Sequence, residues 1–225
     1  TGSPTPLRDK LHALHDPTRY LRIGDGRSGV IGVAGLIVFP KDGEYVCIVG
    51  RRAASVATDP GRYHVLPAFV FQPSGPDDLI AGEWSLSRQI IREFGEEAFA
   101  MPEFADWPHP VTGADYFDAF PPVADLYAML ADGRAALELT GVVVSLLTLR
   151  PEVCSLILIQ DEEWYPRWRD ELAAAIDIER METLYLPVLK GNDAFPDDLH
   201  LNGVPQGMAA FWLGVEQARK QLKGT

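Results

Sequence analysis

Three glutamates, Glu93, Glu96 and Glu97, share a segment in which Leu86, Ile90, Phe94 and Ala98 recur every four residues, with Ile91 beside them. That period predicts an amphipathic helix over residues 85–99. On it the three carboxylates fall within an arc of about 100°, next to the apolar stripe. Glu97 lies inside the edge of the stripe and is expected to be partly buried. Like charges at i,i+3 and i,i+4 cost about 0.2–0.5 kcal/mol each on an exposed helix. Burial raises that cost, because a carboxylate leaving water unpaired loses several kcal/mol. A nearby cation offsets both. Clustered anionic oxygens suit a hard divalent ion, Mg2+ or Mn2+, and such an ion lets an acidic surface hold a phosphate. The alternative is a solvated acidic face with Arg88 and Arg92 as its local partners. Wheel geometry leaves both readings open.

The string Arg92-Glu93-Phe94-Gly95-Glu96-Glu97 resembles the core of the Nudix box, which runs Arg-Glu-apolar-x-Glu-Glu. Tyr63-His64-Val65-Leu66-Pro67 stands where Nudix proteins carry an aromatic-x-Leu-Pro strand end, and Gly82-Glu83 where they carry Gly-Glu before the helix. The likeness is specific over residues 62–100 and architectural elsewhere. It implies an α/β (α+β) fold, a Nudix-type α/β/α sandwich with a mixed sheet. It implies that Glu93, Glu96 and Glu97 bind Mg2+ or Mn2+ and that one of them activates the attacking water. Arg92 joins them in the catalytic set and braces the preceding loop through Glu83. The implied reaction is hydrolysis of a nucleoside diphosphate linked to another group, or of another small pyrophosphate. The strand end at Arg51 and Arg52 often meets substrate phosphate in this family, so Arg52 and His64 are its candidate substrate contacts. A solvated Arg52 and a structural His64 are the alternatives.

The sequence also departs from the family pattern. Ala68 and Phe69 replace two glycines after Leu-Pro, Glu83 is nine rather than eight residues before Arg92, and Phe99 replaces the glycine that usually ends the helix. Glycine permits unusual backbone angles and close approach to a ligand, so these changes imply slow turnover or a ligand of altered shape. Two further readings follow. One is a weak or inactive ligand-sensing domain, part of a longer regulator. The other is an interaction scaffold that binds no ligand.

The formal net charge of −12, with no run of Lys or Arg, disfavours nucleic-acid binding by this segment. No stretch of 18 apolar residues exists, which argues against a membrane span. Cys47 and Cys154 sit in apolar runs and read as buried free thiols, which favours a cytoplasmic location. The opening Thr1-Gly-Ser-Pro-Thr-Pro reads as a tag remnant or an excised fragment. The expected partner is a small phosphate ligand, with room for a homodimer.

The elements that must position these residues follow from the pattern. Residues 1–29 read as an N-terminal extension with one short helix over Pro6 to His15, and residues 30–225 as one domain. Strands are predicted at 30–39, 44–52, 62–72, 137–149, 153–160 and 183–189, the third broken by Pro67. Helices are predicted at 85–99, 122–131, 161–176 and 205–222, the last with Pro205 in its first turn. Trp107, Tyr116 and Phe117 lie in a long loop and suit either a flat ligand or a satellite core. Trp164 and Trp168, four apart, read as core anchors. Pro196 to His200 reads as a candidate mobile flap.

Overall fold

The computed structural model describes residues 29–52, 60–72, 84–102, 119–145, 149–178 and 181–224, together with residues 6, 9, 10 and 13, which are helical. Strand β1, Gly32–Lys41, and strand β2, Glu44–Arg52, form a hairpin with register Val38↔Cys47 to Lys41↔Glu44. Its turn is Asp42-Gly43, both at positive φ (52° and 79°), the pairing that favours a two-residue hairpin loop.

Beyond Val38 the two strands part. Strand β3, Tyr63–Val65, continues beside β2, whereas strand β4, Ala68–Val70, runs beside the first half of β1. The predicted third strand is thus two short strands with different partners. Proline carries no amide hydrogen, and Pro67 marks the switch. Leu66-Pro67 is a cis peptide, and the Pro67 carbonyl oxygen accepts from the Gly35 amide at 2.7 Å in the fork between β1 and β2.

Strand β5, Ala135–Val144, pairs antiparallel with β6, Pro151–Ile159; β6 runs parallel to β1, and β7, Met181–Pro187, pairs antiparallel with β2. The sheet is therefore mixed, in the order β3-β2-β1-β6-β5 with β4 and β7 attached to β1 and β2.

Alternation along the central strands builds two cores. Val33, Ile37, Phe39, Ile157 and Ile159 face one layer, formed by α1 (Leu86–Phe99), α2 (Pro121–Asp132) and α3 (Trp164–Ile178). Ala34, Leu36, Val38, Leu156 and Leu158 face the other, which holds the short α4 (Leu199–Asn202) and the long α5 (Pro205–Lys223). Burial on both faces explains why β1 and β6 read as nearly unbroken apolar runs. The fold is mixed α+β, helices on both faces of a mixed sheet, as the sequence predicts. Trp164 is fully buried against Phe39, Phe94 and Phe99, which makes it the expected core anchor. The loop aromatics Trp107, Tyr116 and Phe117 lie outside the described residues.

Candidate functional site

The acidic segment is a helix, α1, with bounds close to those its period predicts. Ser85 caps it, its hydroxyl accepting from the Arg88 amide at 3.4 Å. The helix ends at Ala100, which takes the left-handed conformation (φ 50°). The glycine expected one residue earlier is Phe99, and it is used for packing. Its ring lies 5.2 Å from Phe94 and meets Trp164 and Trp168 edge-on, tying the helix to α3. On the other side Gly95 lets α2 approach. A Cβ there would sit 2.7 Å from a Val123 methyl. Clamped between α2 and α3, α1 cannot rotate, and this fixes where its polar side chains point.

Arg92 is the centre of that polar face. Its side chain is 7% exposed, and those of Glu93 and Glu96 are 13% and 14% exposed. One guanidinium nitrogen, Nη2, donates to Glu93 Oε1 and to the buried Gln89 Oε1, each at 2.8 Å. The other, Nη1, reaches Glu96 Oε1 at 3.3 Å. The face is therefore not a solvated acidic stripe. It is a half-buried network in which one cation holds two carboxylates. Charge-assisted bonds at low exposure are about twice as strong as neutral ones, and each partner left alone would be costly.

Glu97 points elsewhere. Both of its carboxylate oxygens lie within 3.1 Å of the Ala68 amide nitrogen, at 3.1 and 3.0 Å. Ala68 follows Pro67, so the strand fork is bonded on one side to β1 and on the other to the acidic helix. Close packing surrounds the fork. A Cβ on Gly35 would meet both Pro67 Cδ and the Ser155 hydroxyl at 3.0 Å.

The other expected site residues are placed as follows. Arg52 ends β2, with its backbone paired to Met181. Its neighbour Arg51 donates to the Gly61 carbonyl at 3.2 Å and lies over the Tyr63 ring. The His64 ring packs against Gly207 in the first turn of α5, with Nδ1 2.9 Å from the Val65 carbonyl oxygen. Glu83, the expected brace for Arg92, lies outside the described residues. The segment read as a mobile flap carries α4 at its end. There Asp198 accepts from the Tyr63 hydroxyl at 3.1 Å and from the Asn202 amide at 2.9 Å. Those bonds, the Asn202 one first, hold the Asp198 carboxyl below its ordinary value.

Two features escape a reading of the sequence. Gln89 is fully buried and completes the Arg92 shell; only its place on the wheel, three residues before Arg92, hints at this. Glu152 on β6, 2% exposed, pairs with Arg150 and fills the space above Gly32, where a Cβ would collide with the carboxylate. Burial pushes the Glu152 carboxyl above its ordinary value, with Arg150 opposing.

The donor set on α1 fits a divalent ion in kind, being all carboxylate oxygen, half-buried and within two adjacent turns. Among the described residues, however, no three acidic, histidine or cysteine side chains converge as a ready-made metal cluster; Arg92 bridges Glu93 and Glu96, and Glu97 is turned to the Ala68 amide. Among the described residues no helix is long and apolar enough to cross a membrane.

No family model matches the chain, and no curated protein matches it. Several solved structures resemble it. The NUDIX domain of Shewanella oneidensis NrtR complexed with ADP ribose is similar at 14% identity and a TM-score of 0.40, over 95% of this chain and 97% of that one. The NrtR structure of the same organism is similar at 15% identity and a TM-score of 0.40; 86% of this chain is covered, and it spans 63% of that one. RenU, a Nudix hydrolase from M. smegmatis, is similar at 11% identity and a TM-score of 0.35, over 88% of each chain.

Proposed function

We propose that this chain is a Nudix-like domain that binds a small diphosphate-containing molecule through Mg2+ or Mn2+ held by Glu93, Glu96 and Glu97, and that it hydrolyses that molecule. The observation that carries the reading is the half-buried turn of α1, where one arginine stands between two of three neighbouring carboxylates. A sequence built only for stability would place apolar residues here, since they pack at no desolvation cost. Held by these carboxylates, such an ion would supply positive charge against the phosphate and acidify water. The chain's own residues do the rest. Arg92 orients Glu93 and Glu96, the Ala68 amide orients Glu97, and one glutamate oxygen accepts the proton of the attacking water. Glu83, Arg52 and His64 keep the supporting and substrate-contact roles that the Nudix resemblance implies.

A second reading, binding with little turnover, is favoured by a separate observation. Ala68 and Phe69 stand where the Nudix pattern has glycines. The Ala68 amide is engaged by Glu97, and Phe69 packs against the core. That leaves less open backbone for a ligand.

One experiment separates the readings. Purified protein with Mg2+ or Mn2+ is assayed for phosphate release on a panel of nucleoside diphosphate derivatives, ADP-ribose among them, beside Glu97→Gln. Hydrolysis predicts a metal-dependent rate that falls about 100-fold or more in the variant. Equal rates on every compound, with a ligand-induced rise in Tm, leave the binding reading. Neither turnover nor a Tm shift ends both, and a scaffold role is what remains.

A further inference from the structure

Strand β5 ends the sheet, and among the described residues no strand pairs with its outer edge. It is ten residues long. Edge strands of that length are usually guarded by Lys, Pro or inward charge, because an open ladder of amides and carbonyls invites another strand. β5 carries neither Lys nor Pro. Its one charged residue, Glu138, is tied inward, accepting from Gln217 and Gln221 of α5. From Leu139 to Leu149 the sequence carries no charge, although the chain as a whole is at −12.

The strand also carries a bulge, and it brings two apolar side chains onto one face. The register against β6 shifts between Leu139 and Gly141, so that Leu139 lies opposite Ser155 and Val142 opposite Val153. Ser155 and Val153 point to the same face, so Leu139 and Val142 do too, although three residues apart they would otherwise face opposite ways. Both are exposed, at 63% and 67%.

From this we infer that β5 is the interface for a second copy of this chain, paired antiparallel across a two-fold axis beside Thr140 and Gly141. That symmetry sets Leu139 of each copy beside Val142 of its partner, making one apolar strip on one face of a continuous sheet. The uncharged edge lets two chains of net charge −12 meet without opposing like charges. A two-fold contact closes at two copies. The inference does not depend on what α1 binds.

The test is the mass of the whole chain in solution by light scattering across a wide concentration range. Wild type is expected at twice 24.8 kDa. Leu139→Lys/Val142→Lys and Leu139→Glu/Val142→Glu should each run as monomers with unchanged far-ultraviolet circular dichroism, and their equimolar mixture should recover the dimer mass, since each Lys then faces a Glu. Amide exchange over residues 135–144 should slow in wild type and in the mixture, and not in either variant alone. A monomeric wild type, variants that still dimerise, open-ended polymers, or folded variants whose mixture stays monomeric would each overturn the proposal.

Discussion

Glu97 on α1 holds the Ala68 amide with both carboxylate oxygens, at 3.1 and 3.0 Å, and so joins the acidic helix to the strand fork 29 residues upstream. The contact makes Glu97 both a candidate metal ligand and a structural tie. Glu97→Ala should cost about 1–3 kcal/mol, the penalty for an amide left without its acceptor. Glu97→Gln, which keeps a carbonyl, should cost less. Urea denaturation of the two variants measures this. Equal stability of Glu97→Ala and wild type would remove the structural role.

Arg92 should matter more. Removing it leaves Glu93 and Glu96 half-buried beside each other without their cation. Arg92→Ala is expected to lose about 3–5 kcal/mol, as breaking buried pairs does. If the glutamates take a divalent ion, Mn2+ should recover more Tm in Arg92→Ala than in wild type. A calorimetric melt with and without Mn2+ reads both effects.

The two cysteines should be silent. Burial pushes the Cys47 thiol up to about 12 and the Cys154 thiol to about 11, so neither is a thiolate at neutral pH. A thiol-reactive dye should label neither in the folded protein and both in guanidinium. Stoichiometric labelling under native conditions would contradict the buried placement.

Glu152 predicts a pH dependence with a definite sign. Burial raises its carboxyl above the ordinary value, against the opposing Arg150. The folded state then binds the proton more tightly than the unfolded one. Its contribution is fully present below the unfolded value and is lost as pH rises through the folded one. Relative to Glu152→Gln, wild type should therefore lose stability between the ordinary carboxylate range and neutrality. Paired melts across that range test it; a gap that widens in favour of wild type would reverse the assignment.

How much of this was legible in the sequence depends on the range of the forces involved. The helical period of Leu86, Ile90, Phe94 and Ala98 fixed α1 and the side on which its glutamates lie, and alternation in the apolar runs fixed the paired cores, because both depend on neighbours along the chain. Side-chain partners across the fold were not legible. The sequence placed Arg92 beside Glu93 and Glu96 but could not show that Gln89 completes its shell, or that Glu97 turns to Ala68, because helix wheel angles say nothing of the strand packed above. Pro67 signalled a break in a strand; only the tertiary structure showed two strands on different partners, since pairing is decided by the fork between β1 and β2. Likewise Phe99 read as a lost glycine, and Trp164, which completes its aromatic cluster with Phe94, comes from α3, 65 residues on in the chain, which reaches it only once the sheet has brought the helices together.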